Sequence, residues 1–153
     1  MIERITNPEK FKKATNDIFD RLKVDAEENP YHQLIPNDRE SFIKSFAHKG
    51  LLANNVFAWA NLNSSSEYDA GIVFSRNIDP RLGKTFFTEV TWLSDNPKVG
   101  FKLLMTALNF ARSQDFEYVS MGASVKSPAY ENVKKFYKKM GFLLDSESYI
   151  AKL

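Results

Sequence analysis

Glu89 stands inside an apolar, β-branched run, Thr85-Phe-Phe-Thr-Glu-Val-Thr-Trp-Leu93, where a carboxylate is out of place unless it is paired or faces a cavity. A carboxylate so placed is a candidate proton acceptor. The competing reading is a solvent-facing or salt-bridged glutamate on a half-exposed strand. Strict alternation puts it on the same strand face as Thr91 and Leu93. Just beyond, Lys98 and Lys102 flank Gly100 at the opening of an amphipathic segment. A helix opening there presents backbone amides at Val99, Gly100, Phe101 and Lys102, and a positive dipole end, to an anion. The two lysines add charge, so this turn is a candidate phosphate site. There is no Cys, which excludes disulfides and thiolate chemistry, and with only two His, His32 and His48, a histidine metal site is not expected.

These residues need a strand, a helix and a second strand to position them. Gly100, Leu103, Leu104, Ala107, Leu108 and Ala111 form one stripe at helical spacing, as for a helix packed on a sheet. Thr85 to Leu93 before it and Phe116 to Met121 after it are strand-like, which makes a βαβ unit with a parallel strand pair. Upstream, Met1 to Thr6 is an edge-strand candidate. Asn7-Pro8-Glu9 then supplies a cap, a first-turn proline and an acid for a helix carrying Phe11, Ala14, Ile18, Phe19 and Leu22 inward. Glu27 to Pro30 is expected to stop that helix. Asn37-Asp-Arg-Glu40 starts a second one, with Phe42, Ile43 and Phe46 inward and Gly50 at its C-terminal cap. Val56 to Asn61 and Ala70 to Ser75 are strands joined through Asn63 to Ser66, and Arg76 to Gly83 connects onward. Ser127-Pro128 introduces a last helix with Val133, Phe136, Tyr137 and Met140 inward, and Phe142 to Leu153 holds a final strand or two. The expected fold is mixed α/β, a central mixed sheet of about 6–7 strands and about 4 helices, antiparallel in its N-terminal half with a parallel pair flanking the central helix.

At 153 residues the chain is expected to be a single domain, residues 1–153, large enough for a core without staples. The N-terminus has no apolar leader and no apolar run reaches membrane-spanning length, so a soluble, cytoplasmic protein is expected, with no membrane partner. A net charge of +2 does not argue for nucleic acid. Lys134, Lys135, Lys138 and Lys139 suit the solvated face of an amphipathic helix, without the interleaved aromatics that nucleic-acid binding would need.

The element order, together with Phe136-Tyr-Lys-Lys-Met-Gly-Phe142, resembles the GCN5-related N-acetyltransferase (GNAT) superfamily. A Tyr four residues ahead of a Gly-Phe pair, at the end of the last helix, is a frequent signature there. The family's phosphate loop reads Arg/Gln-x-x-Gly-x-Gly/Ala. In Asp95-Asn-Pro-Lys-Val-Gly100 only the final Gly100 is kept, with Lys98 in place of the first Gly and Asp95 in place of Arg or Gln. The resemblance implies acetyl-CoA as co-substrate and acetyl transfer to an amine, a small molecule or a peptide, by direct attack. It implies Tyr137 as the acid for the departing thiolate, against the alternative of a core Tyr on the Val133–Phe136 stripe. Glu89 is implied as the base. Backbone of Thr91, Trp92 and Leu93 would take the pantetheine arm as a further strand. The turn Lys98, Val99, Gly100, Phe101, Lys102 would take the pyrophosphate, and Ser124 would contact the cofactor. Tyr31, His32, Trp59, Phe74 and Tyr130 would wall the acceptor pocket, each also suited to plain packing. The degraded loop leaves open a non-catalytic binding module of the same fold, and both monomer and homodimer stay open.

Overall fold

The computed structural model describes residues 1–29, 36–125, 127, 129–145 and 151, without the side chains of His48 and Lys49. The chain forms two compact units, Met1–Gly122 and Ala123–Leu153.

In the first unit β1 (Ile2–Ile5) leads into α1 (Pro8–Leu22). Asn7 caps α1 as its spacing predicts, its side-chain oxygen accepting from the Glu9 and Lys10 amides. The helix ends earlier than Glu27, at Lys23, which turns into the left-handed region at φ 50°. α2 (Arg39–Ile43) is capped by Asp38, which accepts from the Ser41 amide, and continues as a π-helical segment, Lys44–Leu51. Gly50 lies inside that segment rather than beyond it. A Cβ on it would sit 2.2 Å from Val56 Cγ2, so close packing, not capping, requires the glycine.

The sheet follows as β2 (Val56–Leu62), β3 (Tyr68–Asp79) and β4 (Lys84–Ser94). Arg76 to Asp79, expected as connection, instead extends β3 as far as a tight turn closed by Gly83 N–H donating to Asp79 O at 2.8 Å, with Gly83 at φ +63°. α3 (Pro97–Arg112) then crosses to β5 (Tyr118–Ser120). The order is β1-β2-β3-β4-β5, antiparallel through β4 and parallel between β4 and β5. Five strands stand among the described residues, fewer than expected. Phe142–Asp145 is not strand, and most of the C-terminal stretch expected to supply more lies outside the described residues.

Alternation along β2 and β3 buries both faces. On one, Ala58, Ala60 and Val73 meet Phe11, Ala14 and Ile18 of α1. On the other, Phe57, Trp59, Phe74 and Phe87 form an aromatic layer with Phe110 and Phe116, in which Phe74 and Phe87 stack at 4.0 Å and 7°. The α3 stripe is buried throughout: Gly100, Leu103, Leu104, Ala107, Leu108 and Ala111.

In the second unit α4 (Tyr130–Lys139) carries Tyr137 between the rings of Phe136 and Phe142, with centroids at 6.1 and 5.3 Å. Gly141, at φ +85°, ends the helix, and the Phe142 amide donates back to Tyr137 O at 2.9 Å.

Candidate functional site

β4 and β5 pair over three rungs only, Phe86–Tyr118, Phe87–Val119 and Thr88–Ser120. Beyond Thr88 the ladder of β4 runs to β3 alone among the described residues. At the same point β4 carries a bulge. Phe74 pairs with Glu89 and Val73 with Thr91, which leaves Val90 as the inserted residue.

The bulge corrects the expected strand faces. Glu89 lies opposite Phe74, on the aromatic, α3-facing side, whereas Thr91 and Leu93 line the α1 side with Phe11, Ile18 and Phe42. A cavity of about 30 Å³ lies there, room for roughly one water. The Glu89 carboxylate reaches across to the end of β5, where Oε2 accepts from the Gly122 amide at 3.1 Å. Trp92, on the α3 side, donates through Nε1 to Gly100 O at 3.2 Å and so ties the end of β4 to the first turn of α3.

That first turn differs from the open nest expected of it. Asn96 is its N-cap, and its Oδ1 accepts from the Lys98 amide at 3.0 Å and the Val99 amide at 3.3 Å. The Gly100 amide donates to Asn96 O at 2.9 Å, Pro97 has no N–H, and Phe101 and Lys102 belong to the helix ladder. The turn as folded thus satisfies its own amides. Ser94 braces it, its hydroxyl donating to Asn96 O at 2.8 Å and accepting from Asn96 N–H at 3.1 Å. Asp95 is held by Arg21 of α1 at 2.9 and 3.1 Å, so its charge is matched. Gly100 serves close approach: a Cβ there would lie 3.3 Å from Ser94 Cβ and 3.4 Å from Trp92 Nε1. The side chains of Lys98, Phe101 and Lys102 are exposed.

β4 thus carries Glu89 and Trp92 on its α3 side and Thr91 and Leu93 on its α1 side, and Trp92 ties the strand to the turn at residues 98–102. Trp59 and Phe74, expected as pocket walls, are instead core residues of the aromatic layer, 4% and 0% exposed. Their burial follows from the sheet being covered on both faces. Tyr130, Tyr137 and Ser124 belong to the second unit, where the Lys134 ammonium sits 4.7 Å over the Tyr130 ring. Tyr31 and His32 lie outside the described residues. Sequence reasoning missed Asn96, although Asn96-Pro97 repeats the Asn7-Pro8 signal that located α1. It also missed Gly122 and the bulge, which carry no mark in the sequence.

No helix among the described residues is long and apolar enough to cross a membrane. No family model and no curated protein matches the sequence. Solved structures do. An aminoglycoside acetyltransferase from an uncultured soil metagenomic sample, in complex with sisomicin, superposes with a TM-score of 0.69 at 15% identity over 100% of this chain and 96% of its own. A probable acetyltransferase gives 0.68 at 15% identity, with 100% and 96% covered. A ribosomal-protein-alanine N-acetyltransferase from Brucella melitensis biovar Abortus 2308 gives 0.64 at 11% identity, with 100% and 99% covered. Strand order, the parallel β4–β5 pair and these full-length likenesses agree: the chain has the fold of the GCN5-related N-acetyltransferases.

Proposed function

We propose that the protein transfers an acetyl group from acetyl-CoA to an amine by direct attack. The observation that carries this reading is that the β4–β5 ladder ends at Thr88 while β4 runs on to Ser94, just ahead of the first turn of α3. An extended pantetheine arm would add to β4 along Thr91, Trp92 and Leu93 as a short strand, through main-chain hydrogen bonds. Its pyrophosphate would meet Lys98 and Lys102 and the amides of the turn once the Asn96 side chain swings aside, and Ser124 is a further cofactor contact. Glu89, the carboxylate where the strands part, would take the proton from the acceptor ammonium. Tyr137 would return one to the thiolate. A small-molecule or peptide amine fits this chemistry, with Tyr31, His32 and Tyr130 as candidate acceptor contacts.

Calorimetric titration with acetyl-CoA tests the reading. Binding is expected, and a native-state ligand must raise the melting temperature. No heat and no stabilisation far above ordinary dissociation constants would refute it. Given binding, Tyr137→Phe and Glu89→Gln should lower kcat with cofactor affinity retained.

One observation favours a second reading, a binding module without catalysis: the capped turn and the Arg21–Asp95 pair leave no empty anion nest. That reading expects no binding of acetyl-CoA and equal behaviour of wild type, Tyr137→Phe and Glu89→Gln.

A further inference from the structure

We propose that Glu89 is a spacer that fixes the separation of β4 from the chain leaving β5, a positioning role additional to any proton transfer. The β4–β5 register, carried one step past Thr88–Ser120, would pair Glu89 with Met121, and a second step would pair Val90 with Gly122. In place of such a rung the Gly122 N–H donates to the Glu89 side chain, at 3.1 Å from Oε2. A carboxylate at the end of its stem thus stands where a strand-to-strand bond would close the pair. Glu89 keeps the face of Phe87 by ordinary alternation, and the Val90 bulge that follows turns β4 at the same place and moves Thr91 and Leu93 to the opposite face. A zipped ladder would bring the strands to ordinary sheet spacing of about 4.8 Å and cover the β4 edge. A loose end would leave that edge with no fixed width. The side-chain bridge gives an intermediate, defined gap, which suits an extended guest strand.

The role depends on length and on an acceptor oxygen, not on charge, and that separates it from a base. Glu89→Gln keeps both length and oxygen, Glu89→Asp keeps the charge but shortens the reach, and Glu89→Ala removes the bridge. Gly122→Ala is the control, because a Cβ there meets nothing within 4 Å and the N–H is retained. Protection of the amide at position 122, its exchange measured by NMR without ligand and taken relative to the intrinsic rate, should match wild type in Glu89→Gln and Gly122→Ala. Exchange should be about threefold to tenfold faster in Glu89→Asp and Glu89→Ala, the factor one hydrogen bond supports. Acetyl-CoA affinity should follow the same order; this second readout rests on the transferase reading. The exchange pattern without acetyl-CoA binding would leave the spacer standing and remove the transferase. Unchanged exchange in Glu89→Ala, or Asp behaving as wild type while Gln does not, would overturn the spacer whatever the cofactor does.

Discussion

Replacing Asn96 by Ala should lower stability and raise cofactor affinity together. The Asn96 side chain holds the Lys98 and Val99 amides at 3.0 and 3.3 Å. An N-cap of this kind is worth about 1 kcal/mol, which for a chain of this length is a fall in melting temperature of about 2–4 °C. The same two amides are what a pyrophosphate at this turn would use. Wild type must open the cap before binding, so its affinity is reduced by the closed fraction. Removing a cap worth about 1 kcal/mol should tighten acetyl-CoA binding by up to about fivefold. Ser94, which braces Asn96 through its backbone, still holds the turn in the variant. Thermal melts of the free protein and calorimetric titration with acetyl-CoA read the two quantities separately. Lower stability with weaker binding would show that Asn96 shapes the phosphate site instead of occluding it. An unchanged affinity would move the pyrophosphate away from this turn.

Gly50→Ala should destabilise by about 1–3 kcal/mol despite the better helix propensity of Ala, because the new methyl meets Val56 Cγ2 at 2.2 Å within a buried, stiff side chain. Urea unfolding checks it, and Val56→Ala in the same chain should recover part of the loss; a neutral single substitution would show that the π-helical turn can shift. For pH, the Tyr68 hydroxyl and then the Lys10 ammonium hold the Glu3 carboxyl below the usual range, a stabilisation present above the unfolded value of about 4.3 and lost as pH falls through the lowered one. Burial and the Glu3 hydrogen bond push Tyr68 up to about 12, so its contribution is present below about 10 and lost as pH rises through about 12. Glu3→Gln should flatten the acid limb of a stability profile, and an unchanged limb would place the acid sensitivity elsewhere.

The parts of the fold that were legible in the sequence are those written in local period and punctuation. The α3 stripe from Gly100 to Ala111 is buried residue by residue as its spacing requires, and the Asn7-Pro8 start of α1 holds to the atom. Burial alone does not tell which of two covered faces an aromatic joins. Trp59 and Phe74 accordingly suited a pocket wall as well as the core layer they occupy. At the candidate site the limits are sharper, because its geometry is set by events without local signature. One inserted residue, Val90, moves Thr91 and Leu93 to the face opposite Glu89, yet valine is as ordinary in a regular strand as in a bulge. The bond from Gly122 to Glu89 spans 33 residues and joins a backbone donor, present at nearly every position, to a side chain. Asn96 was readable in principle, since Asn96-Pro97 repeats the Asn7-Pro8 signal, but the six residues were aligned only as a phosphate loop. Under the transferase reading, the cap and the loop would be one structural device in two states, self-satisfied or ligand-satisfied, since both consist of the same first-turn amides seeking an acceptor. Which acceptor wins is a matter of free energy between Asn96 and an incoming phosphate, and residue types alone do not encode that difference.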